Sequence, residues 1–214
     1  MIKKLTLTLA LAAMATLAAA QDVDAGSKKV AQCIGCHGIP GYQASFPEVY
    51  KVPKIAGQSA DYIVAALTAY GKGDRKHPTM RAVAGTMSEQ DMKDVAAYYA
   101  QLGQGDAMPA PVAAHEPSAD VAALVAKGAC ASCHGANLAQ PIAPAYPRIA
   151  GQYADYLYAA LKSYQTEGSA KVGRNNAIMA GVAKQFSHAE LKILAGYLAS
   201  LPGPLTTVPQ SRFR

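Results

Sequence analysis

The chain has 214 residues, 51% of them hydrophobic and only 16% charged, which excludes a disordered chain and suffices for one large domain or two small ones. The formal charge of +6 includes Lys3 and Lys4; without residues 1–20, 18 basic side chains stand against 14 acidic ones, net +4, all of it in residues 108–214. No run of five like charges occurs, so a nucleic-acid-binding stripe is not supported.

In chain order, Met1-Ile2-Lys3-Lys4, an apolar run Leu5–Leu17 and Ala18-Ala19-Ala20 read as a secretory signal peptide cleaved after Ala20. A membrane anchor would need about 20 strongly apolar residues, and this run is short and Ala-rich. A helix predicted over Ala25–Gln32 leads into Cys33-Ile34-Gly35-Cys36-His37. A long loop follows, then a helix over Ser59–Tyr70 with apolar residues at i, i+3, i+4 spacing. The last helix of this half starts at Ser88, where Ser88-x-x-Asp91 resembles a capping box; Met92, Val95, Tyr99 and Leu102 mark its inner face. Gly103, Gly105, Pro109, Pro111 and Pro117 then mark a linker. Beyond it the pattern returns. A helix over Ala119–Lys127 precedes Cys130-Ala131-Ser132-Cys133-His134. Another spans Tyr153–Tyr164, and a third starts at Ser187 with Leu191, Leu194, Leu198 and Leu201 facing inward. No strand pattern is visible.

The chain is a duplication. Residues 53–70 read PKIAGQSADYIVAALTAY and residues 147–164 read PRIAGQYADYLYAALKSY, identical at 12 of 18 positions. The offset is 97 at the cysteines, 94 here and 99 at the last helix, so small insertions separate the halves. A period this long suits duplicated domains rather than a solenoid. The boundaries expected are a domain over 21–104, a linker over 105–118, a second domain over 119–202 and a tail over 203–214.

All four cysteines lie in C-x-x-C pairs, each followed at once by one of only five histidines. Two thiols on one helical turn reach the two vinyl groups along one haem edge, and the adjacent imidazole meets the iron from the same face. C-x-x-C-H is the signature of c-type haem attachment. A zinc site built from knuckles 97 residues apart, a dithiol motif without a βαβ context, or two disulfides would leave the histidines unexplained. The prediction is two covalent haem c groups on Cys33/Cys36 and Cys130/Cys133, with His37 and His134 as axial ligands.

A thioether as second axial ligand gives an electron carrier with a raised potential, whereas an open position suits catalysis. After Cys133 there is one methionine, Met179, and its repeat partner is Met80. These two are assigned to the irons. Met87 aligns with Phe186 at a hydrophobic staple, and Met92 reads as core. His77 would give a bis-histidine site, but Asn176 stands at its place in the second half. The repeated Pro53 and Pro147 offer carbonyls to Nδ1 of the two ligand histidines. The pairs Lys54/Arg148, Gln58/Gln152, Tyr62/Tyr156 and Arg75/Arg174 are candidate donors to haem propionates, weighed against solvated surface roles.

The two C-x-x-C-H motifs, the repeated P-[KR]-I-A-G-Q-x-A-D-Y stretch and the late methionines resemble the dihaem cytochrome c4 family. The resemblance covers nearly the whole mature chain. It implies an all-α fold of two tandem cytochrome c-like (class I) helical domains related by a pseudo-two-fold axis, with propionates near their interface. It also implies a periplasmic carrier, soluble or loosely membrane-attached, passing electrons from a bc1-type complex or other donor to a terminal oxidase such as the cbb3 type. Tyr42–Val52 lengthens the first haem loop and Arg212–Arg214 add charge, two departures that bear on partner choice. The alternatives are a dihaem electron-accepting subunit of a periplasmic dehydrogenase, similar to that of flavocytochrome c, and a dihaem peroxidase. A methionine available to each iron argues against the peroxidase.

Overall fold

The computed structural model describes residues 21–102 and 116–210; the expected signal peptide, most of the linker and His115 lie outside them. The first half begins with α1 (Val23–Lys29), capped by Asp22, whose side chain accepts from Ala25 N–H. A break at the fully buried Val30 separates it from α2 (Ala31–His37), so the single predicted helix is two, and the second carries the first cysteine motif. A small hairpin, β1 (Gln43–Ala44) and β2 (Tyr50–Lys51), precedes α3 (Ala60–Lys72). Gly73 ends α3 at φ 84°, a left-handed position that favours glycine. Next come β3 (Arg75–Lys76), α4 (Pro78–Gly85) and α5 (Glu89–Leu102). The second half contains α6 (Ala119–Lys127), α7 (Ala131–His134), α8 (Ala154–Gln165), β4 (Gly173–Arg174), α9 (Ala177–Ala183) and α10 (His188–Ser200).

The molecule is thus essentially all-α. The described strands have two residues each, too short to leave a period-two signal in the sequence. Both expected caps form. Ser187 and Glu190 make a full capping box, and Ser88 and Asp91 exchange bonds of 3.1 Å between each backbone N–H and the other's side chain.

Each half has its own apolar interior. In the first, Ile63 and Leu67 of α3 meet Met92, Val95 and Tyr99 of α5, with Val30 and Ile34 beneath. Met92 is a core residue, as its helical spacing indicates. Helix α1 crosses α5 so closely that a Cβ on Gly26 would overlap the Asp94 carbonyl. The buried Asp94 carboxylate fastens that crossing, accepting from Lys29 Nζ (2.8 Å), Asp22 N (3.1 Å) and Gln90 Nε2 (2.6 Å). In the second half, Leu198 and Leu201 pack with Leu157, while Leu191 and Leu194 pack with Phe186.

Several contacts join the halves. Strands β3 and β4 pair antiparallel, placing Arg75 opposite Arg174 on the pseudo-dyad. The β1–β2 hairpin reaches α8 through Lys51–Asp155 (3.2 Å) and Glu48–Lys162 (2.7 Å). This hairpin sits in the first haem loop, which is three residues longer than its counterpart. Finally, the polar tail runs back over the first half. Leu205 is buried, Thr206 N–H donates to the Ala56 carbonyl at 3.0 Å, Val208 joins the first core, and Tyr98 hydroxyl donates to Gln210 at 3.1 Å.

Candidate haem sites

The cysteine motifs lie on helical turns, which puts both sulfurs and the following imidazole on neighbouring positions. In α2 the turn holds Cys33, Cys36 and His37; in the second half Cys130 opens α7, which ends on His134. The four cysteines form no disulfide, and each is partly exposed. Burial pushes the Cys33 thiol up to about 11 and raises that of Cys130.

The two histidines are fixed alike. Nδ1 of His37 lies 2.9 Å from the Pro53 carbonyl, and Nδ1 of His134 lies 2.9 Å from the Pro147 carbonyl. Burial lowers the pKa of both imidazoles, opposed by those backbone bonds, so both are neutral at pH 7. A carbonyl oxygen can only accept, so Nδ1 carries the proton and Nε2 presents its lone pair. That is the state in which an imidazole binds iron.

Met80 and Met179 occupy equivalent positions at the start of α4 and α9. Neither helix is visible in the sequence pattern, because each is only two turns long. Both begin with a side-chain cap on the methionine's own backbone: His77 Nδ1 accepts from Met80 N at 3.3 Å, and Asn176 Oδ1 accepts from Met179 N at 3.0 Å. His77 therefore does have a repeat partner. Asn176 performs the same task with a different acceptor, and the bis-histidine alternative loses its motive. His188 is exposed on the first turn of α10.

The repeated polar pairs meet at the boundary between the halves. Lys54 Nζ donates to the Gly151 carbonyl (2.7 Å), and Arg148 Nη1 to the Gly57 carbonyl (2.5 Å), a symmetric exchange. Gln58 bonds the backbone of Arg148, and Gln152 that of Lys54. Arg75 donates to Tyr62 (3.2 Å) and Tyr156 (2.6 Å), and Arg174 to Tyr156 (3.2 Å). Each repeat was legible in the sequence, but the bonds that cross the boundary were not, because Lys54, Gln58, Arg75, Arg148, Gln152 and Tyr156 each reach a partner in the opposite half.

The glutamine amides are thus taken up by backbone, whereas the arginines fit a carboxylate-bearing prosthetic group. Nε of Arg75 and Nε of Arg148 are buried without a hydrogen-bond partner. Among the described residues neither arginine, nor Arg174, has a carboxylate within ion-pairing distance. Buried cationic donors of this kind suit haem propionates.

A fold of two helical units, each presenting C-x-x-C-H, a neutral imidazole and a methionine, defines a dihaem c-type cytochrome. A family model for cytochrome c matches residues 23–103 and again 118–202. Cytochrome c4 of Stutzerimonas stutzeri is 32% identical over 210 residues, covering 92% of this chain and 96% of that one. The crystal structure of reduced recombinant cytochrome c4 from Pseudomonas stutzeri superposes with a TM-score of 0.61 at 26% identity, covering 85% of this chain and all of that one. A thiosulfate dehydrogenase electron acceptor of Thiomonas intermedia is 29% identical over 185 residues, covering 83% of this chain and 82% of that protein. The chain belongs to the cytochrome c4 family of dihaem electron carriers and carries two covalently bound haem c groups.

Proposed function

We propose that Cys33 and Cys36 hold the first haem and Cys130 and Cys133 the second, with His37/Met80 and His134/Met179 as axial pairs. Two haem domains, 21–104 and 119–202, are then joined by the linker 105–118. The observation that carries the assignment is the duplicated geometry: each histidine is locked with Nε2 free, and each methionine opens a capped helix at the same repeat position. The haems supply a one-electron Fe(III)/Fe(II) couple. The chain's residues orient the ligands, offer donors to the propionates and hold the two halves together. With both iron positions filled by protein ligands, the molecule transfers electrons and turns over no substrate. It works in the periplasm as a shuttle between a bc1-type complex or another donor and a terminal oxidase such as the cbb3 type.

A second reading, the electron-accepting partner of a periplasmic dehydrogenase, is favoured by the likeness to the thiosulfate dehydrogenase electron acceptor. Mass spectrometry of the exported protein tests attachment, with two haem masses expected on a chain starting at Gln21. Replacing Met80 or Met179 with Ala should each remove one share of the oxidised-state absorption band that reports a methionine–iron bond. An undiminished band would refute the assignment. Stopped-flow reduction by a bc1-type complex, compared with reduction by a thiosulfate dehydrogenase, separates the two readings.

A further inference from the structure

The two glutamines at the boundary bond to the same peptide groups that hold His37 and His134. The Pro53 carbonyl that accepts from His37 and the Lys54 N–H belong to one peptide group. That N–H donates to Oε1 of Gln152 at 3.0 Å. In the other half, the Pro147 carbonyl accepts from His134, and the N–H of the same peptide, on Arg148, donates to Oε1 of Gln58 at 2.9 Å. Each glutamine closes the loop by donating Nε2 to the next carbonyl, that of Lys54 (2.9 Å) or Arg148 (3.0 Å). Both side chains are buried, with 4% and 5% of their surface exposed.

We infer that Gln152 tunes the first haem and Gln58 the second: each glutamine, from the opposite half, sets the donor strength of an axial histidine through one shared peptide group. This rests on the assignment of His37 and His134 as ligands. Hydrogen bonds in a chain polarise one another, and inside a protein that strengthening reaches about 10–30% per bond. An acceptor on the peptide N–H makes its carbonyl a better acceptor, which gives the imidazole more anionic character. A more basic imidazole stabilises Fe(III) and lowers the potential. The arrangement is crossed, so each half adjusts the haem it does not bind.

The test is a redox titration of the holoprotein, following each haem through its own axial-methionine methyl resonance. Gln152→Met removes the acceptor and should shift the first haem toward Fe(II) by about two- to fourfold, or roughly 20–35 mV at 59 mV per tenfold. The second haem should hold its value. Gln58→Met should do the reverse. Gln152→Glu keeps an acceptor and strengthens it, so the first haem should move the opposite way. Both Gln152 variants lose the Nε2 donor, so the difference in sign isolates Oε1 from any loosening of the boundary, and either variant alone still reports if the other does not assemble. Equal shifts of both haems, a shift only of the haem in the mutated half, or no shift would overturn the inference. If His37→Ala leaves the first haem's axial-imidazole ring resonances in place, the ligand assignment has failed, and the inference falls with it.

Discussion

His77 offers the sharpest separation between a ligand and a support. Its Nδ1 accepts from Met80 N at 3.3 Å, while its ring also meets Phe46 and Tyr70 edge-on, with centroids 6.3 and 6.4 Å away. Burial lowers its pKa, followed by the Arg75 and Arg174 charges, so the ring is neutral at pH 7 and able to accept. Replacing a good N-cap with Ala costs about 1 kcal/mol of helix stability. With Met80 as the proposed ligand, that corresponds to roughly a fivefold rise in the fraction of molecules with α4 frayed and Met80 off the iron, at 1.36 kcal/mol per tenfold. His77→Ala should therefore weaken the methionine–iron band of the first haem on warming, well before the second haem responds. His77→Asn copies Asn176, whose cap is shorter at 3.0 Å, and should restore the band although the ring contacts are gone. The measurement is the temperature dependence of that band in the oxidised protein. Failure of Asn to rescue, or a first haem whose sixth ligand disappears in both variants, would mean that His77 binds iron.

Gly26→Ala places a methyl against the Asp94 carbonyl and forces α1 off α5; despite the better helix propensity of Ala, overpacking of this kind costs about 1–3 kcal/mol, visible as a lower melting temperature. Ending the chain before Leu205 should destabilise the first half by about 2–5 kcal/mol, because a buried leucine and the Val208 contact are lost; denaturant titration of the first haem's ligation reads this out. Lys29 and the Ser88 cap hold the Asp91 carboxyl down to about 2. A depressed acid adds stability that is complete above its unfolded value near 4 and is lost as pH falls through about 2. Asp91→Asn should accordingly flatten the acid limb of the pH–stability curve below about pH 4 while leaving its shape near neutrality unchanged.

Much of the site was legible because its signals are local. C-x-x-C-H places its residues on one helical turn, and the duplication singles out Met80 and Met179, rather than Met87 and Met92, as the proposed ligands. Shorter elements were not legible. Helices α4 and α9 span two turns, and His77 and Asn176 look unrelated until both are seen accepting from a methionine N–H. The polar pairs failed for a different reason. A repeat reveals that both halves use a residue, as with Gln58 and Gln152, but not that each uses it on the other half. Those contacts join residues 90–98 positions apart, beyond the reach of any local pattern.

The returning tail also sets an order of events. The first core includes Val208, and the first half's Ala56 carbonyl waits for Thr206. The half that is synthesised first is therefore sealed last, by residues made after the whole second half. Until those residues arrive, the first core remains open along the strip that Val208 will cover. The tail beyond the second half thus acts as the closing piece for its older neighbour.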